Sequence, residues 1–183
     1  LFDPKFLDEI SKMKEKNVAV EVLKKLLAEQ VSIYKRTNFV KSEKFSEIIK
    51  AAMNRYINGM ITNEEVIEEL LNIAKQIVKA KEEGNELGLT TDELAFYDAL
   101  TKPTAIKDFY ENDELIAITK ELTETLRKNK TIDWQKKESA RAKMRMMIKK
   151  LLKAHKYPPE GMDDAVQTVM TQCELWTDNE LEN

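Results

Sequence analysis

The chain has 183 residues, of which 34% are charged and 42% hydrophobic, and its formal net charge at pH 7 is −3. This length fits one domain or two small lobes, and the composition is usual for a soluble, helix-rich protein. Because Cys173 is the single cysteine and His155 the single histidine, an internal disulfide framework and a Cys/His zinc site are excluded.

The sequence contains no sign of membrane insertion or export. No apolar run approaches the roughly 18 residues of a membrane-spanning helix, and no signal peptide opens the chain. We therefore expect a cytoplasmic protein without membrane contact. The chain begins with Leu1 rather than methionine, which suggests a fragment or a processed product.

The N-terminal part of the sequence predicts a series of amphipathic helices. Asp3 and Pro4 form an N-cap and first-turn pair that begins a short helix, and Asn17 precedes a second, leucine-rich helix. Ser42 is a plausible cap for a third helix, whose apolar stripe should end near Gly59.

A fourth helix leads to the predicted boundary between two lobes. It begins at the capping box Thr-Asn-Glu-Glu, residues 62–65, and its apolar positions continue to about Glu83. The glycine-containing segment 84–88 that follows is the best candidate for a boundary. The sequence thus divides into an N-terminal helical lobe, a C-terminal helical lobe and a loosely ordered tail: 1–84, 85–177 and 178–183.

The C-terminal lobe begins at a second capping box, residues 90–93, which opens a helix that Pro103 ends. Asn112 and Asp113 can cap the next helix. A basic helix, 133–155, then leads to Tyr-Pro-Pro at 157–159, which forces an extended turn before the last helix. Because no segment alternates as a strand does, the sequence predicts an all-α, bundle-like fold of about eight helices.

The basic helix lies in the most charged part of the chain. Between Arg127 and Lys156 there are twelve basic residues and two acidic ones. The helical arc that should face the core also contains Lys137, Arg141 and Arg145, and a buried cation without a partner is unfavourable. Some acidic group should meet them, either a carboxylate of this chain, an acidic face of a partner protein or a phosphate. The lysines on the opposite side look like an ordinary solvated face.

Catalytic motifs are absent from the sequence. None of the four glycines belongs to a phosphate-binding loop, and no strands are predicted that would bring nuclease carboxylates together. His155 lies at a helix end, where it can complement the terminal carbonyl groups. Cys173 lies on an apolar stripe and should be a buried, inert thiol. We therefore predict no catalytic residue and no metal site in this chain.

Several segments together resemble a known family. They are Leu-Thr-Thr-Asp-Glu-Leu-Ala-Phe-Tyr-Asp-Ala-Leu at 89–100, Leu-Arg-Lys-Asn-Lys-Thr-Ile-Asp-Trp at 126–134, Arg-Ala-Lys-Met-Arg at 141–145 and Tyr-Pro-Pro-Glu at 157–160. This pattern resembles the C-terminal helical domain of the R subunit of type I restriction enzymes. The resemblance is strong from about Leu89 to Trp176, and the first 84 residues resemble the helical segment before that domain.

The resemblance implies a place in a larger machine. The R subunit of the family has a nuclease domain and two motor domains that use ATP and Mg²⁺ to translocate duplex DNA. Its helical end is associated with docking onto the methyltransferase core, which is made of modification and specificity subunits. The expected partners are therefore these subunits and the motor domains of the same subunit, and no cofactor is expected in this part.

Two hypotheses follow from the sequence and the resemblance. The first is an assembly module that docks the R subunit onto the methyltransferase core. The second is a DNA-contacting module that guides duplex DNA along the motor; the net charge disfavours it, whereas the segregated positive stripe favours it. An independent enzyme is the least favoured alternative. The predicted partner- or DNA-binding residues are Lys137, Arg141, Arg145, Lys149, Tyr157 and Pro158.

Overall fold

The computed structural model describes residues 2–182 and the side chains of residues 2–181. Over this range the chain forms nine α-helices and one short 3-10 helix, without a strand. In chain order the α-helices are α1 (Pro4–Ser11), α2 (Lys16–Thr37), α3 (Phe39–Ile57), α4 (Asn63–Leu87), α5 (Thr91–Leu100), α6 (Ala105–Phe109), α7 (Asn112–Asn129), α8 (Glu138–Ala154) and α9 (Pro159–Glu182). The all-α prediction is confirmed, and α6 is a short additional helix. None of the described helices is long and apolar enough to cross a membrane.

The chain divides into two compact units. The first contains the described residues up to Lys35 together with Lys41–Glu83, and the second contains Arg36–Val40 together with the described residues from Gly84 onward. Each unit has its own cluster of buried apolar residues. The first cluster is formed by α1 to α4, and the second is formed mainly by α5 to α9.

In the first unit, the caps of α1 and α4 and the buried side chains agree with the sequence pattern. Asp3 caps α1, since its carboxylate accepts a hydrogen bond from the N–H of Lys5 across 3.0 Å. At the start of α4 the hydroxyl of Thr62 accepts a hydrogen bond from the N–H of Glu65 across 3.2 Å, as the capping box predicted. The largest fully buried side chains of this unit are Leu23, Leu27, Phe45, Leu70 and Ile77.

The third helix begins earlier than the sequence predicted. Ser42 was expected to cap it, whereas α3 begins at Phe39 and Ser42 is buried in its first turn. The side-chain oxygen of Gln172 accepts a hydrogen bond from the N–H of Phe39 across 2.8 Å. The amide of the same glutamine donates to the carbonyl of Thr37 across 3.0 Å. A residue distant in sequence therefore caps α3.

The fourth helix ends later than the sequence predicted. It was expected to stop near Glu83, whereas α4 continues to Leu87 through the segment that was predicted as a boundary. It ends where Gly88 adopts a φ of +69°. The N–H of Leu89 then donates to the carbonyl of Gly84 across 2.8 Å. This bond closes the helix end, so the glycine at 88 acts as a helix terminator.

The second unit is arranged around α5, which packs against α7 and α9. Its predicted capping box is confirmed, because Thr90 and Glu93 exchange side-chain to backbone hydrogen bonds of 3.2 and 2.9 Å. All residues from Leu94 to Leu100 are buried. The largest fully buried side chains of this unit are Trp134, Phe96, Leu100, Leu115, Leu122, Leu126 and Ile148.

The basic helix is shorter than the sequence predicted. Residues 133–155 were expected to form one helix, whereas α8 begins at Glu138 and Trp134–Lys136 forms a separate 3-10 turn. The buried indole N–H of Trp134 donates to the hydroxyl of Thr177 across 3.1 Å. This bond to α9 fixes the position of the 3-10 turn, and the chain starts a new helix after it.

Helix α9 includes the described part of the predicted tail, 178–183, whose last residue lies outside the described range. The side chain of Gln135 donates a hydrogen bond to the carboxylate of Asp178 across 2.9 Å. Lys130 forms an ion pair with Glu180. These contacts connect the last turns of α9 to the rest of the second unit, which accounts for the difference from the predicted loose order.

Candidate interaction surface

The basic stretch from Arg127 to Lys156 covers the end of α7, the 3-10 turn and α8. Some of its cations pair with carboxylates of the second unit. These pairs are Arg127–Glu124 (3.2 Å), Lys128–Glu124 (3.7 Å), Lys136–Asp133 (3.7 Å), Lys130–Glu180 and Arg141–Glu174. The pairs of Lys130 and Arg141 join the basic stretch to α9, whereas the pairs of Arg127, Lys128 and Lys136 are exposed contacts between residues close in sequence.

Arg141 was predicted to meet an acidic group, and that group belongs to this chain. Its guanidinium pairs with the carboxylate of Glu174 on α9. The two side chains are 25% and 31% exposed, so water screens the pair less than it screens one on an open surface. Arg141 therefore connects α8 to α9, and its charge is already matched within the chain.

Trp176 is the centre of a second contact between the basic stretch and α9. The amino group of Lys130 lies 3.7 Å from the centroid of its ring, and the guanidinium of Arg127 lies 5.3 Å from the same centroid. A cation over an indole ring is attracted by the ring quadrupole. In the sequence these two cations are visible only as charge, because their aromatic partner lies far along the chain.

Other cations on α8 have at most a weak contact with a carboxylate of the described chain. Arg145, Lys149 and Lys153 are spaced four residues apart, so they form a row about 12 Å long on one side of the helix. No ion pair or hydrogen bond joins Arg145 or Lys153 to another described side chain, and Lys149 lies 3.9 Å from a carboxylate oxygen of Asp163. Met146, beside the row, is 72% exposed. We call Arg145, Met146, Lys149 and Lys153 the cationic face of α8.

The other predicted contact residues lie elsewhere. Lys137 is exposed at the N-terminal end of α8, where it is the N-cap residue. Tyr157 is buried, and its hydroxyl donates to the carbonyl of Leu100 across 2.7 Å. Desolvation raises the pKa of Tyr157 to about 12. Pro158 is half-buried in the turn before α9. Tyr157 therefore has a place in the core instead of an exposed contact position.

His155 and Cys173 both occupy positions that support the fold. The Nε2 atom of His155 lies 2.6 Å from a carboxylate oxygen of Glu121. The backbone carbonyl of His155 accepts a hydrogen bond from the hydroxyl of Tyr110 across 2.8 Å. Cys173 is buried, and desolvation raises the pKa of its thiol to about 12. Within residues 2–181, no group of three or more His, Cys, Asp or Glu side chains is arranged to hold a metal ion.

Comparison with known proteins identifies the family. Residues 1–179 match the family described as type I restriction enzyme HindI endonuclease subunit-like, C-terminal. The chain belongs to this family. It is 36% identical over 174 residues, or 95% of its length, to the type I restriction enzyme HindI endonuclease subunit of Haemophilus influenzae. It is 38% identical over 148 residues, or 80% of its length, to a putative type I restriction enzyme MjaIXP endonuclease subunit of Methanocaldococcus jannaschii.

The chain matches 16% and 14% of the lengths of these two endonuclease subunits, so it corresponds to one domain of each. No solved structure matches it. The resemblance to the C-terminal domain of a type I restriction enzyme R subunit is therefore confirmed. In this C-terminal domain the cationic face of α8 is the candidate interaction surface, because acids of the described chain leave most of its charge unmatched.

Proposed function

We propose that this domain docks the endonuclease subunit of a type I restriction enzyme onto the methyltransferase core, which is made of modification and specificity subunits. The observation that supports the proposal is the cationic face of α8, where Arg145, Lys149 and Lys153 form a row beside an exposed methionine. Membership of the endonuclease-subunit family supports a role within a multi-subunit enzyme.

The chemistry of this face suits a protein partner. Arginine and methionine are enriched in protein interfaces, and an exposed methionine gains by leaving water. The lysine stems offer further apolar surface, while their ammonium groups remain free to pair with carboxylates. An acidic partner surface would therefore satisfy the charges of the face and bury its apolar part in a single contact.

Nuclease and motor activity would reside in other parts of the endonuclease subunit. We assign ATP and Mg²⁺ to those parts, as the resemblance to the R subunit implies. We further propose that the domain contacts the motor domains of its own subunit, because docking of this domain can hold the motor on the methyltransferase core only if the two are joined firmly.

Duplex DNA is the second candidate ligand for the same face. The sequence of α8 contains six basic residues and one acidic residue, which makes a local positive field on an otherwise acidic chain. Binding to DNA through this face would weaken steeply with salt, by a slope of roughly 0.9 in log affinity for each neutralised phosphate. Binding to a protein through mixed apolar and charged contacts would depend less on salt.

Two charge-matched variants test the docking function. Arg145→Ala/Lys149→Ala removes two cations from the cationic face, whereas Lys24→Ala/Lys50→Ala removes two exposed cations from the first unit. We expect the first variant to bind the methyltransferase core about tenfold more weakly at moderate salt and the second to bind like the wild type. Equal affinities for all three proteins would contradict the proposal, and salt-sensitive binding to duplex DNA alone would favour the second candidate.

A further inference from the structure

The turn between α8 and α9 has an unusual residue at its centre. Lys156 adopts a φ of +58° and is the one non-glycine residue with a positive φ among those described. Its N–H donates to the carbonyl of Lys153 across 3.0 Å, and the N–H of Tyr157 donates to the carbonyl of Leu152 across 2.9 Å. This pair of hydrogen bonds is the Schellman pattern, in which the left-handed position is usually a glycine.

The same chain ends two other helices with the same pattern, and both times it uses glycine. Gly59 after α3 and Gly88 after α4 have φ values of +72° and +69°. At Gly59 the hydrogen bonds are 3.1 and 2.8 Å long, and at Gly88 they are 3.3 and 2.8 Å long. At the third of these turns the residue is Lys156, which has a Cβ. The left-handed conformation is sterically unfavourable for a residue with a Cβ. Backbone strain of this kind at a single residue suggests that its side chain has a function.

The side chain of Lys156 borders a cavity of about 530 Å³ at this corner. The lining combines three ammonium groups with an aromatic ring, a proline and a methionine, and one carboxylate lies beside them. The lining residues are Lys149, Lys153, Lys156, Tyr157, Pro159, Met162 and Asp163. The one ion pair among them is the 3.9 Å contact between Lys149 and Asp163, and the side chain of this aspartate is 97% exposed. Two of the three cations therefore lack a carboxylate partner.

We propose that this cavity receives a carboxylate side chain of the partner protein when the domain docks. This assignment rests on the docking function proposed above and names the chemistry that the partner must present. The ammonium groups attract a carboxylate, and the apolar lining residues offer contacts for the methylene groups of the side chain that bears it. The cavity continues the cationic face of α8, because Lys149 and Lys153 belong to both.

The surroundings of the cavity favour a protein carboxylate over a nucleic-acid backbone. The first turns of α9 carry the exposed acids Glu160, Asp163 and Asp164 beside the cavity. A duplex carries a continuous row of phosphates, so these acids would repel it. A protein segment with one acidic residue beside apolar or basic residues would place its carboxylate in the cavity and avoid that repulsion.

Replacing Lys156 by glycine separates binding from stability. Lys156→Gly removes one ammonium group and relieves the left-handed backbone, so we expect a thermal midpoint about 2–4 °C higher than that of the wild type. The same variant should bind the methyltransferase core about fivefold more weakly. Lys153→Met removes a second ammonium group at a helical position and should also weaken binding. Lys50→Ala, at an exposed lysine of the first unit, is the matched control.

A small dicarboxylate provides a measurement that does not depend on the core. Titrating ¹⁵N-labelled chain with glutarate should give saturable amide shifts at Lys156, Tyr157 and residues 160–163, and Lys156→Gly should abolish them. If the core binds wild type and Lys156→Gly equally well, the cavity assignment is wrong and the docking function stands. If the core binds neither protein, the docking function fails and the role of the cavity in docking fails with it, whereas glutarate shifts would still show that the cavity binds a carboxylate. Binding of a short DNA duplex that requires Lys156, without any glutarate shift, would overturn the carboxylate assignment.

Discussion

The ion pair between Arg141 and Glu174 allows residues that stabilise the fold to be distinguished from residues that contact a partner. Both residues lie between α8 and α9, and Arg141 was one of the residues predicted from sequence to contact a partner. We expect Arg141→Ala to lower stability and to leave binding to the methyltransferase core unchanged. Arg145→Ala, four residues along the same helix, should do the reverse, because no ion pair or hydrogen bond joins Arg145 to another described side chain.

The exposure of the two side chains sets the size of the effect. Exposed ion pairs contribute about 0.2–1 kcal/mol, and removing one partner of a buried pair costs about 3–5 kcal/mol. With 25% and 31% of the side chains exposed, this pair lies between those limits and towards the lower one. We expect Arg141→Ala to lower the free energy of unfolding by about 1–1.5 kcal/mol, and a coupling energy with Glu174→Ala of about 1 kcal/mol.

Urea denaturation of the wild type, both single variants and the double variant measures this coupling. Binding of the same proteins to the methyltransferase core shows whether the stability change has any counterpart in affinity. A coupling energy near zero would show that the pair does not connect the helices. Loss of core binding in Arg141→Ala without loss of stability would show that Arg141 is a contact residue, as the sequence predicted.

Three further predictions concern the core of the second unit. Leu122→Ala should lower the free energy of unfolding by about 3 kcal/mol in urea denaturation, because it leaves a cavity at a fully buried position; a loss below about 1 kcal/mol would contradict that burial. Thr177→Val should lower it by about 1–2 kcal/mol, because the indole N–H of Trp134 would lose its acceptor. Thr171→Val, at an exposed hydroxyl, is the control and should change little. Cys173 should resist thiol reagents until the chain unfolds. The pKa of this thiol is 9.0 in its unperturbed state and about 12 when buried, so between these values the native state retains a proton that the unfolded state releases. The domain should therefore lose stability as pH rises from 9 towards 12. A flat stability profile across this range would contradict the burial.

The sequence predicted a helix end correctly where the capping residues are neighbours of that end in the sequence. The capping box at Thr90 is complete within four residues, and the structure shows both of its hydrogen bonds. The start of α3 escaped prediction because its cap comes from Gln172, which is 133 residues from Phe39 in sequence. A cap that another helix supplies cannot be recognised from the residues around the start of the capped helix.

The contact surface was predicted less completely, because charge does not show which cations already have partners. The periodicity of α8 placed Arg141 and Arg145 on one side of the helix. The distinction between them depends on Glu174, which α9 brings to one and not to the other. Tyr157 was predicted to contact a partner as part of the Tyr-Pro-Pro corner that follows the basic helix. Its burial depends on the packing of α5 and α9 around it and on its hydrogen bond to Leu100.

Cross-linking from the centre of the cationic face tests the proposed docking most directly. Met146 is 72% exposed, so p-benzoylphenylalanine can replace it without disturbing the core, and Ile132, which is 76% exposed, provides a control position outside the face. We predict that irradiation of the assembled enzyme joins position 146 to a modification or specificity subunit and leaves position 132 unlinked. An assembled enzyme in which position 146 forms no link to either subunit would contradict docking through this face.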